Sequence, residues 1–147
     1  MMTLHLIKLA VGAESTKDLT DWIAERTRAA KARGLPPYYA HVTRMTPKRE
    51  DELLAGGSLY WVIRGAISAR QQLVAIEPFR DGEGVSRCRL LLAPEVVAVA
   101  PRPMRPFQGW RYLKASDAPP DLSQSEADGL AAMPEEMRRE LRELGLL

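Results

Sequence analysis

Over the first eleven residues Leu4, Leu6 and Lys8 alternate with His5, Ile7 and Leu9. A period of two with apolar side chains on both sides predicts a central strand covered on both faces. From residue 15 the period lengthens. Leu19, Trp22, Ile23 and Ala30 recur at helical spacing up to Gly34, and Ser15 with Asp18 three positions on forms a variant of the capping box, so a helix is expected over residues 15–33. Pro36 and Pro37 then impose an extended connection. Residues 41–45 read as a short strand. Thr46 followed by Pro47 reads as the cap and first residue of a helix of about two turns over residues 47–55, closed by Gly56 and Gly57.

The second half is dominated by strands. LYWVIR at 59–64, a turn at Arg64 and Gly65, and a return over 67–77 predict a hairpin. DGEG at 81–84 turns the chain again, and residues 85–92 return with Cys88, Leu90 and Leu92 on one face. A further short strand is expected at 95–100. Pro101, Pro103 and Pro106 then keep the path extended into PFQGWRYL. Residues 117–132 read as a polar linker. Pro134 opens a last helix over 134–144, with Glu135 and Glu136 in its first turn and Met137, Leu141 and Leu144 on one stripe. The expectation is α+β: a curved, mainly antiparallel or barrel-like sheet of five to six strands with three helices packed on it.

The chain has 147 residues, 46% of them hydrophobic and 27% charged, which suits a single domain with its own core. It divides into a body (1–116), the linker and an acidic C-terminal helix (133–147). One cysteine allows no internal disulfide, and no apolar run reaches the roughly 20 residues needed to span a bilayer. The N-terminus lacks the layout of a signal peptide, so a cytoplasmic location is expected, without membrane association. The net charge of +2 hides an asymmetry: residues 1–116 carry 18 basic and 11 acidic side chains, residues 117–147 carry 3 and 8. Two windows, 26–49 and 96–116, contain no acid at all. Such a footprint attracts nucleic acid or a phosphorylated ligand, unless the acidic tail folds back and neutralises it.

Candidate chemistry is sparse. Ser58 in GGSLYW lacks the second glycine of a nucleophile elbow and reads as a turn residue entering the sheet. Cys88 lies between Arg87 and Arg89, which alternation sends to the opposite face, so it reads as a core side chain. His5, His41, Cys88 and carboxylates show no zinc spacing; a two-His site would need the first two strands to bring His5 and His41 together. No dinucleotide or P-loop motif is present, and no cofactor is expected.

Two strings carry more. In RMTPKRE, Lys48 and Arg49 would occupy the first turn of the Pro47 helix, where cations are unfavourable. Either a phosphate bound with Arg44 compensates them, or Glu50, Asp51 and Glu52 do. In RPMRPFQGWRYLK, Phe107, Trp110 and Tyr112 interleave with Arg102, Arg105, Arg111 and Lys114. That pattern suits either base stacking with phosphate contact, or rings packed on a core with the arginines exposed.

HLIKLAVG, HVTRMTPKRE, GGSLYWVIRGAISARQ, RPFQGWRYL and LRELGLL together resemble the alphaproteobacterial family known as domain of unknown function 1489, over nearly the whole chain. The resemblance implies a cytoplasmic bacterial protein and no established activity. The layout is also similar to PUA-like and ASCH-type barrels, which would put Arg44, Lys48, Arg49, Arg64 and Arg70 on the rim of an RNA or nucleotide cleft. The leading expectation is thus a nonenzymatic RNA- or nucleotide-binding module using these residues with Arg105, Trp110 and Arg111. One rival is an enzyme acting on a phosphorylated or carboxylated metabolite, with His41 as general base near Arg44 and Arg70. The other is an interaction protein presenting its C-terminal helix.

Overall fold

In the computed structural model, which describes residues 3–134, 136, 137 and 140, the alternating segments become seven strands. The order along the chain is β1 (Leu4–Leu9), α1 (Thr16–Ala32), β2 (Tyr39–Thr43), α2 (Glu50–Leu53), β3 (Ser58–Ile63), β4 (Ala66–Arg80), β5 (Ser86–Leu92), β6 (Val97–Pro103), β7 (Trp110–Lys114) and α3 (Gln124–Ala132). The strands form one open sheet in the order β2-β5-β4-β3-β1-β7. On the edge of β4 away from β3, β6 pairs with its first part and β5 with the rest. Only β1 and β3 run parallel. The architecture is α+β with a curved, mostly antiparallel sheet, as expected, though seven strands replace five to six.

Register shifts at Trp61/Val62, Ile67/Ala69 and Leu73/Ala75 bend the sheet. Its two faces bury separate clusters. The inner face holds Leu4, Leu6, Leu59, Trp61, Leu90 and Leu92, covered by Leu19 and Ile23 of α1. The outer face holds Ile7, Tyr60, Val62, Ile67 and Val99, covered by Phe107. Cys88 is fully buried on the inner face, and burial pushes its thiol pKa up.

Local chemistry explains the secure elements. The Ser15 side chain accepts from Asp18 N at 3.1 Å and starts α1. Arg64 and Gly65 both have positive φ, 49° and 78°, the mirror-image turn whose twist matches a hairpin. Gly57 has a different role: a Cβ there would stand 2.2 Å from Leu4 O and 2.3 Å from Leu53 O, so only glycine lets β3 start tight against β1.

Two expectations change. The helix placed at 47–55 is only Glu50–Leu53, with Arg49 at its N-cap. The preceding segment is pinned to β7 instead: Trp110 Nε1 donates to Met45 O at 2.8 Å, and Lys48 N donates to Tyr112 Oη at 2.9 Å. These bonds hold residues 45–48 out of the helix. The linker of 117–132 is also structured. Asp121 bridges to Val99, Ala100 N donates to Pro120 O, and Ser123 with Glu126 makes a full capping box for α3. Most of the helix expected at 134–144 lies outside the described residues; Met137 is exposed.

Candidate functional site

The structure does not bring the candidate residues together in one place. Arg44, Lys48, Arg49 and Trp110 come together where the segment after β2 meets β7. Parts of the two acid-free windows of the sequence, around Met45 to Arg49 and around Trp110 to Tyr112, therefore meet. There Trp110 and Tyr112 form an edge-to-face pair at 4.9 Å, the Arg49 guanidinium lies 5.7 Å over the Tyr112 ring, and Tyr112 remains 37% exposed. Arg49 is paired with the Glu52 carboxylate. The helix start itself carries Glu50, Asp51 and Glu52, which is favourable at that end, so no uncompensated cations sit in a first turn. That corrects the reason for expecting a phosphate at this helix. Among the described residues, Arg44, Lys48 and Lys114 form no ion pair.

Arg64, Arg105 and Arg111 lie apart from this surface. Arg64 ends the β3–β4 hairpin within 3.3 Å of Glu14, beside a cleft of about 490 Å³ between α1, β6 and α3. Arg111 lies over Phe107 at 4.8 Å on the outer face, and Arg105 is exposed in the connection before β7.

Arg70 belongs to a paired outer-face cluster. Its Nε and Nη2 donate to the Asp121 carboxylate at 2.7 Å each, and its Nη1 donates to Ser58 Oγ at 3.1 Å. Ser58 N in turn donates to His5 Nδ1 at 3.0 Å, and the His5 ring meets Tyr60 edge-on at 5.1 Å. Accepting at Nδ1 puts the proton of a neutral His5 on Nε2. Burial, and secondarily the Arg70 charge, lowers the His5 pKa, while the Arg70 guanidinium lowers that of Asp121. The acidic segment does fold back on the basic body at this point. The sequence held one signal for it: Ser58 and His5 sit on strands whose alternation sends both to the face of Ile7 and Tyr60.

His41 lies on the opposite, inner face. Its partner across the ladder is Leu90, its ring stacks on Tyr39 at 6.4 Å, and it meets Trp61 edge-on at 5.2 Å. Neither a two-His metal site nor a His41–Arg70 catalytic pair exists, because His5 and Arg70 are on the other face; among the described residues no cluster of three metal-binding side chains occurs. His41 Nε2 is buried with no hydrogen-bond partner among the described residues. Burial first, then the charges of Lys8 and Arg26, push its pKa down to about 4, so the imidazole is neutral near pH 7 but a weak base.

Lys8 shares that face. It stands directly across from Trp61 on one side and Trp110 on the other, and burial lowers its pKa. Arg26 of α1 lies 4.6 Å over Trp22 and 6.0 Å over Tyr39. Reading the sequence left Lys8, Arg26, Trp22 and Tyr39 out of every candidate site. The available signal was the single charge inside the otherwise apolar first strand.

The comparisons agree with the sequence resemblance. The profile of the family described as protein of unknown function (DUF1489) matches residues 6–147, nearly the whole chain. The chain belongs to this family. No curated protein and no solved structure matches it. As a DUF1489 chain it inherits no assigned activity, so its function rests on its own geometry. Among the described residues no helix is long and apolar enough to cross a membrane.

Proposed function

We propose that this protein is a nonenzymatic RNA-binding module that holds a single strand on the surface around β2 and β7. One observation carries the reading: residues of the two acid-free windows build arginine-topped aromatic clusters, Arg26 with Trp22 and Tyr39 at the start of β2, and Arg49 with Tyr112 where the segment after β2 meets β7. Trp22 and Tyr112 keep part of their surface exposed, which base stacking needs. Arg44, Lys48 and Lys114, without ion-pair partners among the described residues, supply cations for phosphates. Trp110 acts differently. Its Nε1 is committed to Met45 O, so it anchors the loop that presents Lys48. The reading places the protein in the cytoplasm, where its one thiol, Cys88, stays reduced.

The weak basicity of His41 argues against a proton-transfer role near neutral pH and so against the enzyme reading. The test is fluorescence anisotropy with a labelled single-stranded RNA over a salt series. Replacing Arg44 and Lys48 together by Ala should weaken binding about tenfold and reduce the salt slope by about 1.4, because two phosphates are no longer neutralised. Adding Arg49→Ala should lower it less, because that guanidinium is already shared with Glu52. Unchanged affinity and slope in the double variant would overturn the reading.

A further inference from the structure

We propose that the cleft between α1, the β3–β4 hairpin, β6 and α3 binds a small amphipathic cation, an ammonium group carried on an apolar body. The proposal does not rest on the RNA reading, since the cleft and the basic surface share no side chain. Its volume of about 490 Å³ lies within the range of small-molecule sites. The path of the chain opens it. Leu122 N donates to Ala98 O at 2.9 Å and Asp121 bridges to Val99, which fixes the start of α3 on β6, and the cleft runs from there to the first turns of α1. The small side chains of Ala98 and Ala127 leave room that larger ones would fill. Ile63 and Val99 are buried, while Leu122 and Leu130 stay half-buried, so an apolar body seated against them removes further apolar surface from water.

The charges around the cleft decide the sign of the ligand. Carboxylates come from three places, Glu14 before α1, Asp21 on α1 and Asp128 on α3, against two cations, Lys17 and Arg64. Both cations are already committed: Lys17 Nζ lies 2.6 Å from Asp21, and Arg64 lies 3.3 Å from Glu14. An anion would compete with these carboxylates and add to a lining with an excess of negative charge, whereas a cation reduces that excess. The surrounding chain has the same sign, since residues 117–132 hold Asp117, Asp121, Glu126 and Asp128 and no Lys or Arg. The hydroxyls agree. Ser68 Oγ donates to Ala66 O at 3.0 Å and Thr20 Oγ1 donates to Thr16 O at 2.8 Å, so each of these lining oxygens offers the cleft an acceptor. An ammonium has three donors and no acceptor, which matches such a lining. The apolar walls set the rest of the ligand, because a bare metal ion gains nothing from them.

Amide NMR titration of the full chain tests this, with benzylamine, benzyl alcohol and benzoate as probes of one shape and different charge. Benzylamine should give saturable shifts at the amides of Ser68, Ala98 and Ala127, with an affinity about tenfold above that of benzyl alcohol, and benzoate should not saturate them. Asp128→Asn should weaken benzylamine binding about fivefold and leave benzyl alcohol unchanged. Ala127→Leu keeps the charge and the helix but fills the cleft, so it should abolish the response to both. The Arg44→Ala, Lys48→Ala double variant should bind benzylamine like the natural chain. Several results overturn the proposal: no saturable response to benzylamine at tens of millimolar, equal affinity for the three probes, preference for benzoate, or unchanged benzylamine affinity in Asp128→Asn. Full binding by Ala127→Leu would do the same, because it places the amine outside the cleft. None of these results bears on RNA affinity, so the two readings fail separately.

Discussion

The two faces of the sheet each carry a histidine, a cation and aromatic rings, yet they end in opposite states. On the outer face His5 accepts from Ser58 N, Ser58 Oγ accepts from Arg70, and Arg70 is clamped by Asp121. On the inner face, among the described residues, His41 Nε2 has no hydrogen-bond partner and Lys8 forms no ion pair. The difference teaches that burial beside the sheet does not by itself complete a polar cluster. Saturated donors and acceptors hold the chain to itself, here tying the segment after β7 back onto β4. Unsaturated ones are retained at a cost in stability.

The largest expected effect breaks the outer cluster at its base. Gly57→Ala would drive a methyl group into Leu4 O and Leu53 O, shifting β3 and separating Ser58 from His5; a loss of at least about 3 kcal/mol in urea unfolding is expected, where a loss below about 1 kcal/mol would show that the approach relaxes easily.

Acid comes next. The folded pKa of His41 is about 4 against an ordinary 6.5, so between these values the unfolded chain binds a proton that the folded chain refuses. Stability is complete above the ordinary value, falls as pH drops through that window, and falls no further from this cause below about pH 4. Unfolding measured near pH 7 and near pH 4.5 should differ by about 2.5 kcal/mol from His41, with His5 adding in the same direction. His41→Phe should flatten the slope, and an unchanged slope in that variant would assign it elsewhere.

The same pair of histidines sharpens the contrast at constant pH. His5→Phe strands the backbone N–H of buried Ser58 and should cost about 2 kcal/mol, while His41→Phe removes an atom that lacks a partner among the described residues and should be close to neutral. Equal costs would contradict the distinction between the faces. Asp121→Asn weakens a partly exposed bidentate pair and should cost about 1 kcal/mol, less than His5→Phe.

How much of this is legible in the sequence depends on the range of the interaction. The helix at α1, the hairpin at Arg64 and Gly65, and the burial of Cys88 are readable because capping, turn chemistry and strand alternation act over a few residues. The helix expected at Pro47 is cut short because its local signals lose to two hydrogen bonds from Trp110 and Tyr112, more than sixty residues away. The linker departs from expectation for a related reason. Its prolines and acids look solvated until Asp121 meets Arg70 across fifty-one positions, although the Ser123–Glu126 capping box is a local sign of α3.

Composition and pattern thus determined that this chain would form an α+β fold with a curved antiparallel sheet, a basic body and a largely acidic tail. They also determined on which side of its strand each residue would fall, because period two is a property of the backbone. Which strands became neighbours was decided only by the tertiary structure. Register put Lys8 between Trp61 and Trp110, set His41 on the inner face and His5 on the outer, and tertiary packing delivered a carboxylate to Arg70. The physical reason is that pairing and charge compensation depend on distances between side chains, and only the folded chain sets those distances.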